Sequence, residues 1–409
     1  MSTEPAVPGE KQHSQTNLMS VLQLVFSLVI FLLFLGGAVL AARLRVGVLP
    51  LASAGLQGGM LWSYSIALLM LALLCLPSII SSICTLTGGT QPRWLSAPMP
   101  ALNWLPLALF VLVLVVRMLV MPDLPAGVIW PAVLTTLAIA LPAFWLLRLG
   151  AGKTWGQHPQ RNSGLLTFSF GFTTYFIMIV ELVLVCAVVT GFLAAVAQNQ
   201  AWFRAIQQLL LLYQRMELTP EKLNQLFMPL LSAPSILLGI LLLVSLVIPL
   251  IEEAFKTLGV WLLKDRGITP AEGYLAGLVS GAGFALMEGL LNSPLAATGA
   301  PADWLVFALG RLGGTLLHIF NGGLMGWALA RHWQDKEHHK VWGTYLLVVV
   351  LHGLWNAIAI LGLNLQTFAM SETLTYGLMG IYLLVLLVAF ILFSRSVHRQ
   401  TTEVALVAR

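Results

Sequence analysis

Long apolar runs alternate with short polar connections along the whole chain. A helix needs roughly 20 mostly apolar residues to cross the hydrocarbon core of a bilayer. By that length, the sequence predicts about ten spans and therefore an all-α, polytopic transmembrane helical bundle. The predicted spans cover residues 18–42, 60–85, 101–121, 127–147, 166–196, 235–263, 272–294, 304–330, 342–363 and 373–394.

The connection over 198–234 has a different pattern. Its apolar residues recur at helical spacing, with charged and amide side chains between them. Thr219-Pro220-Glu221 then has the composition of a helix start, with proline at the first helical position. We therefore predict two short amphipathic helices on the membrane surface, and a lid that admits substrate is the alternative.

Composition excludes an ordinary soluble protein. Charged residues make up 9% of the chain and apolar residues 58%, whereas soluble domains carry about 25% charged residues. The net charge of +5 is explained by basic cytoplasmic loops, so the bilayer and not a nucleic acid is the expected partner. The distribution of Lys and Arg places both termini in the cytoplasm, and the lack of a cleavable leader favours a bacterial-type plasma membrane.

Several ionisable residues fall inside the predicted spans. Such residues cost at least ~2.5–3.5 kcal/mol each when charged at the centre of the bilayer, and they mark functional sites by default. Seven of the nine lie between 252 and 352, in four consecutive spans. The nine are Arg117, Glu181, Glu252, Glu253, Lys256, Glu288, Arg311, His318 and His352.

The sixth span ends with Glu252, Glu253 and Lys256. Glu252 and Lys256 are four residues apart and share one helix face. Two adjacent carboxylates beside an ammonium group suit a general base whose neighbour positions it. The alternative is a polar stop at the membrane interface, because Lys264 and Arg266 soon follow.

The seventh span begins with a predicted capping box, Thr269-Pro270-Ala271-Glu272. Glu288 lies deeper in this span and is followed one turn later by Asn292. Glu288 is either a site residue or a structural partner of Arg311. Close packing against another helix is predicted from glycines at 273, 277, 281 and 283.

Histidines occupy the middle of the next two spans. Arg311, Thr315 and His318 lie along one face of the eighth span, and His352 and Asn356 are one turn apart in the ninth. At ~1.5 Å rise per residue, the four motifs lie within roughly 10 Å of one level. One buried polar pocket is therefore predicted.

Taken in order, these motifs resemble those of the PrsW family of intramembrane proteases, which is related to the CAAX-prenyl endopeptidases and bacteriocin-immunity-type membrane proteases. The resemblance covers residues 235–363. One departure is Glu288, at a position where CAAX-type relatives carry a histidine. The matching motifs are Glu252-Glu253-x-x-Lys256, Phe284-x-x-x-Glu288-x-x-x-Asn292, a mid-span His318 followed by glycines, and His352-x-x-x-Asn356.

The resemblance implies hydrolysis of a peptide bond in a membrane-anchored protein. Glu252 or Glu253 would activate water, and His318 would help to hold that water or a metal. His352 and Asn356 would donate hydrogen bonds to the developing oxyanion. Each such donor stabilises the transition state by ~2.7–4 kcal/mol. The implied catalytic set is Glu252, Glu253, Glu288, His318, His352 and Asn356, supported by Lys256, Asn292 and Arg311.

A divalent metal such as Zn²⁺ is compatible with this set, because histidine and carboxylate ligands are typical of catalytic zinc. The ligands would be His318, His352 and Glu288. The chain has no HExxH motif, and the sequence leaves a metal-dependent and a metal-free glutamate mechanism both open. The sequence therefore assigns no cofactor. It also gives no indication of the oligomeric state.

The predicted regions are a polar tail (1–17), a five-span membrane region without an assigned role (18–197), the amphipathic connection (198–234), a four-helix catalytic core (235–363), and the last span with a basic cytoplasmic tail (364–409). Two other functions would use the same buried residues. One is a catalytically inactive scaffold or binding relative, and the other is a proton-coupled transporter. The transporter gains no support from an internal repeat.

Overall fold

The computed structural model describes residues 8–45, 58–96, 104–121, 128–197, 200–215, 222, 225–226, 234–297, 299–336, 338–363 and 371–407. Almost all of these residues are helical, and none of them lies in a β-strand. The predicted all-α fold is confirmed.

The α-helices of the described residues follow one another along the chain, interrupted by short π-helical and 3₁₀ turns. The α-helices are α1 (Pro8–Arg45), α2 (Gly58–Leu86), α3 (Arg93–Ser96), α4 (Leu105–Val115), α5 (Trp130–Ala151), α6 (Pro159–Phe168), α7 (Thr174–Ala197), α8 (Gln200–Gln214), α9 (Pro234–Leu242), α10 (Ile248–Phe255), α11 (Leu258–Trp261), α12 (Pro270–Ala297), α13 (Pro301–Asp335), α14 (His338–Leu363) and α15 (Glu372–Val407). The π-helical turns are Val116–Val120, Ser169–Thr173 and Leu243–Val247, and the 3₁₀ turns are Gly152–Thr154 and Lys264–Arg266.

Nine helical segments of the described residues are long and apolar enough to cross a membrane. They correspond to nine of the predicted spans, and the chain is an integral membrane protein. The predicted span 101–121 is instead a shorter apolar helix over Leu105–Val120. It is short because Pro106 lies in its first turn and the backbone leaves helical geometry at Met121.

The amphipathic connection contains one of its two predicted helices, α8. This helix exposes Phe203, Leu210 and Tyr213, while Ala205 is buried. Exposed aromatic and aliphatic side chains on a polar helix are typical of a helix at the membrane interface. The start predicted for the second helix, Thr219-Pro220-Glu221, lies outside the described residues.

The chain divides into two compact units. The larger unit comprises residues 1–174, 256–344 and 386–409, and the smaller unit comprises 175–255 and 345–385. At the centre of the larger unit, α12 packs against α13, α5, α2 and α6. Most of α12 is buried, which is why its sequence carries small residues rather than one polar face.

Helices α12 and α13 run antiparallel with their backbones in contact. Gly273, Gly277 and Gly281 each lie against a carbonyl of α13, and an added Cβ would collide with that carbonyl. From one glycine to the next, the position advances by four residues along α12 and moves back by four residues along α13. Continued in the same register, this pairing places Glu288 opposite Arg311. The carbonyls that meet the three glycines belong, in that order, to Gly326, Gly322 and His318.

The predicted capping box at the start of α12 is confirmed. The Thr269 amide donates to Glu272 Oε2 at 2.9 Å, and the Glu272 amide donates to Thr269 Oγ1 at 3.2 Å. Glu272 Oε1 also accepts a hydrogen bond of 3.0 Å from Arg161 at the start of α6. These contacts fix the start of the helix that carries Glu288.

In the smaller unit, α9, the π-helical turn Leu243–Val247 and α10 follow one another as a single irregular helix. The sequence predicts a continuous span over 235–263. The α-helix instead stops at Phe255, and Lys256 and Thr257 form a turn before α11. The part of α14 in this unit, residues 345–363, packs on the irregular helix through the contacts described below.

Candidate active site

Each unit contains a cluster of glutamate and histidine side chains. The cluster in the smaller unit is buried, whereas in the larger unit the Glu288 side chain is 33% exposed. We name the cluster in the smaller unit the dicarboxylate cluster, and it consists of Glu252, Glu253 and His352. We name the cluster in the larger unit the Glu288 network. Its members are Lys256, Glu288, Arg311 and His318.

The dicarboxylate cluster joins α10 to α14. His352 Nδ1 lies 2.8 Å from Glu253 Oε1 and 3.7 Å from Glu252 Oε2. Only the shorter distance is that of a hydrogen bond. Glu253 and His352 are 1% and 3% exposed and Glu252 is 8% exposed, so water is largely excluded from all three side chains.

The contact with Glu253 fixes the tautomer of His352. A carboxylate can only accept, so the Nδ1–H of the imidazole is the donor. In the neutral ring, Nε2 then carries the lone pair. The same arrangement of carboxylate and imidazole supports metal-binding histidines in other proteins.

Two tyrosines that the motifs did not include hold the backbone around this cluster. Tyr345 Oη donates to the carbonyl of Leu250 at 2.8 Å, and Tyr382 Oη donates to the carbonyl of Leu351 at 2.6 Å. One carbonyl lies just before the two glutamates and the other just before His352. Tyr345 could have been inferred from its spacing, since it lies two helical turns before His352.

In the Glu288 network, His318 stands between a cation and a carboxylate. Lys256 Nζ lies 2.9 Å from His318 Nδ1, and Glu288 Oε2 lies 2.9 Å from His318 Nε2. An ammonium group offers only donors, so Nδ1 accepts and Nε2–H donates to Glu288. Both ring nitrogens of His318 are therefore used by protein partners.

The carboxylate of Glu288 is held by a guanidinium group as well. Arg311 Nη1 donates to Oε1 at 3.1 Å and Arg311 Nη2 donates to Oε2 at 3.0 Å, which is the bidentate geometry of strong ion pairs. The ring of Phe284 lies 5.0 Å from the His318 ring and 4.7 Å from Lys256 Nζ, centroid distances that fit an edge contact and a cation–π contact. The structural partnership of Glu288 and Arg311 that the sequence left open is present.

The two predicted asparagines make contacts with helical backbone. Asn292 Nδ2 donates to the Glu288 carbonyl of its own helix at 3.0 Å and is exposed. Asn356 Nδ2 donates to the Val244 carbonyl at 2.9 Å, from α14 to the π-helical turn. Neither contact is to a carboxylate or imidazole of the two clusters.

Both clusters lie inside the segment that matches a known protein family. The sequence model described as PrsW family intramembrane metalloprotease matches residues 164–393, which is more than half of the chain. The chain belongs to the PrsW family. It is an intramembrane protease, and the resemblance drawn from the four motifs is confirmed. No curated protein and no solved structure matches the chain.

The PrsW match is wider than the motifs indicated. The motifs fall within 235–363, whereas the match also takes in the span of α7 and the membrane part of α15. These helices carry none of the four motifs, which is why reasoning from ionisable residues left them outside. α15 contributes Tyr382, whose hydroxyl bonds to the residue before His352.

Proposed function

We propose that the chain hydrolyses a peptide bond of a membrane-anchored protein and that Glu252 is the base that activates the attacking water. The observation that carries this assignment is the buried hydrogen bond between Glu253 and His352, with Glu252 beside it. Glu253 is committed to the imidazole, so the adjacent Glu252 is assigned to the water.

In this mechanism, the proton of the attacking water passes to Glu252 as the water oxygen bonds to the scissile carbonyl carbon. Glu252 then delivers that proton to the amide nitrogen as the carbon–nitrogen bond breaks, so one carboxylate acts as base and then as acid. Glu253 keeps His352 oriented throughout. With its proton on Nδ1, His352 can accept a hydrogen bond from the water at Nε2.

In this proposal, the role of the Glu288 network is to hold the His318 ring in one position. Lys256 and Glu288 select one tautomer and hold the ring from both sides, and Arg311 fixes Glu288 in turn. A fixed imidazole is what a hydrolytic site requires, because misplacement of a catalytic group by about 1 Å can cost ~100-fold in rate. We propose that cleavage requires His318, with Lys256, Glu288 and Arg311 acting through it.

The matching family is described as metalloproteases, and the dicarboxylate cluster has donors that fit a divalent metal. Glu252 and His352 Nε2 would hold the ion, and Glu253 would support the histidine from behind. Bound Zn²⁺ would lower the pKa of its water and polarise the substrate carbonyl. The oxygens of Glu288 already accept from Arg311 and His318, so Glu288 is a less suitable ligand than the sequence suggested.

The placement of these residues supports a substrate that enters the bilayer. Glu252, Glu288, His318 and His352 all belong to segments long enough to cross a membrane. A peptide bond that reaches Glu252 must lie at hydrocarbon depth and outside regular helix, because a helical amide is shielded by its own hydrogen bonds. We propose a protein with one membrane span as substrate, and a plasma-membrane orientation with both termini cytoplasmic, as the basic residues predict.

The test is cleavage of single-span substrate proteins by the purified chain in detergent and in liposomes. Glu252→Gln keeps the side-chain shape and removes the base, so cleavage should fall by ~10²–10⁴-fold. The matched control is Glu181→Gln, which changes a glutamate of α7 in the same unit and should leave the rate within about twofold of wild type. Equal cleavage by Glu252→Gln and wild type would remove Glu252 from the mechanism.

A further inference from the structure

The π-helical turn Leu243–Val247 is followed by a proline, and the combination leaves one backbone carbonyl without its usual donor. In the turn, the Ile248 amide donates to the Leu243 carbonyl, five residues back. The next carbonyl, that of Val244, would receive the amide of residue 249 in this register. Residue 249 is proline, which has no N–H.

The missing donor is supplied from α14. Asn356 Nδ2 donates to the Val244 carbonyl at 2.9 Å. Such a replacement matters in a membrane-spanning segment, because lipid offers no water to satisfy a freed carbonyl. The side-chain amide of Asn356 thus donates to the Val244 carbonyl the hydrogen bond that the backbone of residue 249 cannot donate.

A second contact brings the same two elements together. The carbonyl of Ser245, which in an α-helix would also depend on residue 249, faces Gly353 of α14. An added Cβ at Gly353 would collide with this oxygen, so glycine is required for the approach. Gly353 and Asn356 are three residues apart and therefore present one side of α14 to the turn.

The two contacts lie close to the catalytic side chains along both elements. On one element, Val244 and Ser245 precede the two glutamates of the dicarboxylate cluster by about two helical turns. On the other, His352 is adjacent to Gly353 and one turn from Asn356. We propose that Asn356 is a positioning residue, which holds the proline-opened turn so that the glutamates meet His352, and that its main contribution is not donation to a substrate oxyanion.

This inference rests on the proposed function, but half of its test does not need substrate. The experiment is a double-mutant cycle between Asn356→Leu and Pro249→Ala in the full-length chain in detergent. The measurements are the thermal unfolding midpoint, and kcat and KM for a single-span substrate. Alanine at this position restores a backbone N–H, which can donate to Val244 in the existing π register.

We expect Asn356→Leu alone to lower the unfolding midpoint and to reduce kcat by about tenfold with little change in KM, because the Val244 carbonyl loses its donor in a membrane-spanning segment. In the Pro249→Ala background, the same change should lower both quantities by a much smaller factor. Pro77→Ala, which removes a mid-helix proline of α2, is the matched control and should show no such coupling with Asn356→Leu.

A direct role at the oxyanion predicts a different outcome. Asn356→Leu would then reduce kcat by the same factor with or without Pro249→Ala, at an unchanged unfolding midpoint, and that result would overturn the proposal. If the wild-type chain cleaves no substrate, the proposed function fails, while the cycle in unfolding midpoints still decides whether Asn356 serves Val244.

A second pair of variants covers the case in which Pro249→Ala does not fold. Gly353→Ala should separate α14 from the turn and reduce kcat, although Asn356 and His352 are both present. Gly343→Ala, on the same helix with open space around it, should behave like wild type. If Gly353→Ala has the same kcat as the wild type, that result would contradict the proposed positioning role of this contact.

Discussion

The dicarboxylate cluster and the Glu288 network each pair glutamate with histidine, but they use the pair in different ways. In the first, two carboxylates lie near Nδ1 of one imidazole. In the second, one carboxylate is gripped by a guanidinium, and the imidazole has a partner on each nitrogen. The first arrangement suits a group that reacts, and the second suits a group that is held.

The backbones that carry the two clusters differ in the same sense. The Glu288 network lies mainly on α12 and α13, whose regular helices are in contact through glycines and keep one register over several turns. The dicarboxylate cluster lies beyond a π-helical turn and a proline, where helical hydrogen bonding is incomplete. Irregular backbone is common at functional sites, because it aims side chains where a regular helix would not.

Breaking the Glu288 network should give the largest loss of stability. Arg311→Met removes the guanidinium and leaves the Glu288 carboxylate without that partner, so the free energy of unfolding should fall by about 1–3 kcal/mol. The measurement is the unfolding midpoint of the full-length chain in detergent, by circular dichroism. Adding Glu288→Gln should recover much of the loss, since the uncompensated charge is then gone.

The contrast with Glu252→Gln sharpens this prediction. That variant should lose cleavage while its unfolding midpoint changes little. If Arg311→Met unfolds at the wild-type midpoint and instead abolishes cleavage, the division into a reacting cluster and a holding network is wrong.

Replacing Glu253 should have a smaller effect, which concerns the affinity of the dicarboxylate cluster for a metal. Glu253→Gln weakens the support of His352, and loss of such a support typically costs ~10–100-fold in affinity. Zn²⁺ affinity should be measured by competition with a chromophoric chelator. Asn292→Asp, with an exposed side chain on α12, is a control for an altered charge and should bind Zn²⁺ like wild type. If wild-type protein binds no Zn²⁺, the metal-free mechanism through Glu252 is favoured.

Much of the fold and the membership of the clusters could be predicted from the sequence, because both depend on the cost of placing charge in lipid. Apolar length located nine of the spans, and the same cost singled out Glu252, Glu288, His318 and His352. The capping box before α12 and the glycine stripe within it were also predictable, since each is a local pattern with one physical meaning.

The partners within each cluster could not be predicted in the same way. Sequence spacing allows Glu288 two roles, and only the distances to Arg311 and His318 show that both of its oxygens are used. Likewise, the spacing of His352 and Asn356 suggests a shared task, whereas Asn356 bonds to a backbone carbonyl on another element. Hydrophobic periodicity does not reveal a π-helical turn. The sequence alone therefore does not show that the Val244 carbonyl needs a side-chain donor.

The smallest predicted effect concerns the backbone beside the two glutamates. Tyr345→Phe removes the hydrogen bond from Tyr345 Oη to the Leu250 carbonyl and should cost about 0.5–1.5 kcal/mol of stability. The cost stays small because Leu250 lies within α10 and keeps its intrahelical donor. Since Leu250 lies two residues before Glu252 in the same helix, kcat should fall a few-fold while KM stays constant.

The matched control is Tyr376→Phe, which removes a hydroxyl from an exposed side chain in the same unit and should change neither quantity. A loss of stability in Tyr345→Phe with full kcat would mean that α10 tolerates movement near Glu252. In that case the position of the base is set mainly by the turn at Val244, and the coupling between residues 249 and 356 should be correspondingly larger. The two experiments therefore apportion the placement of one carboxylate between the two ends of a short helix.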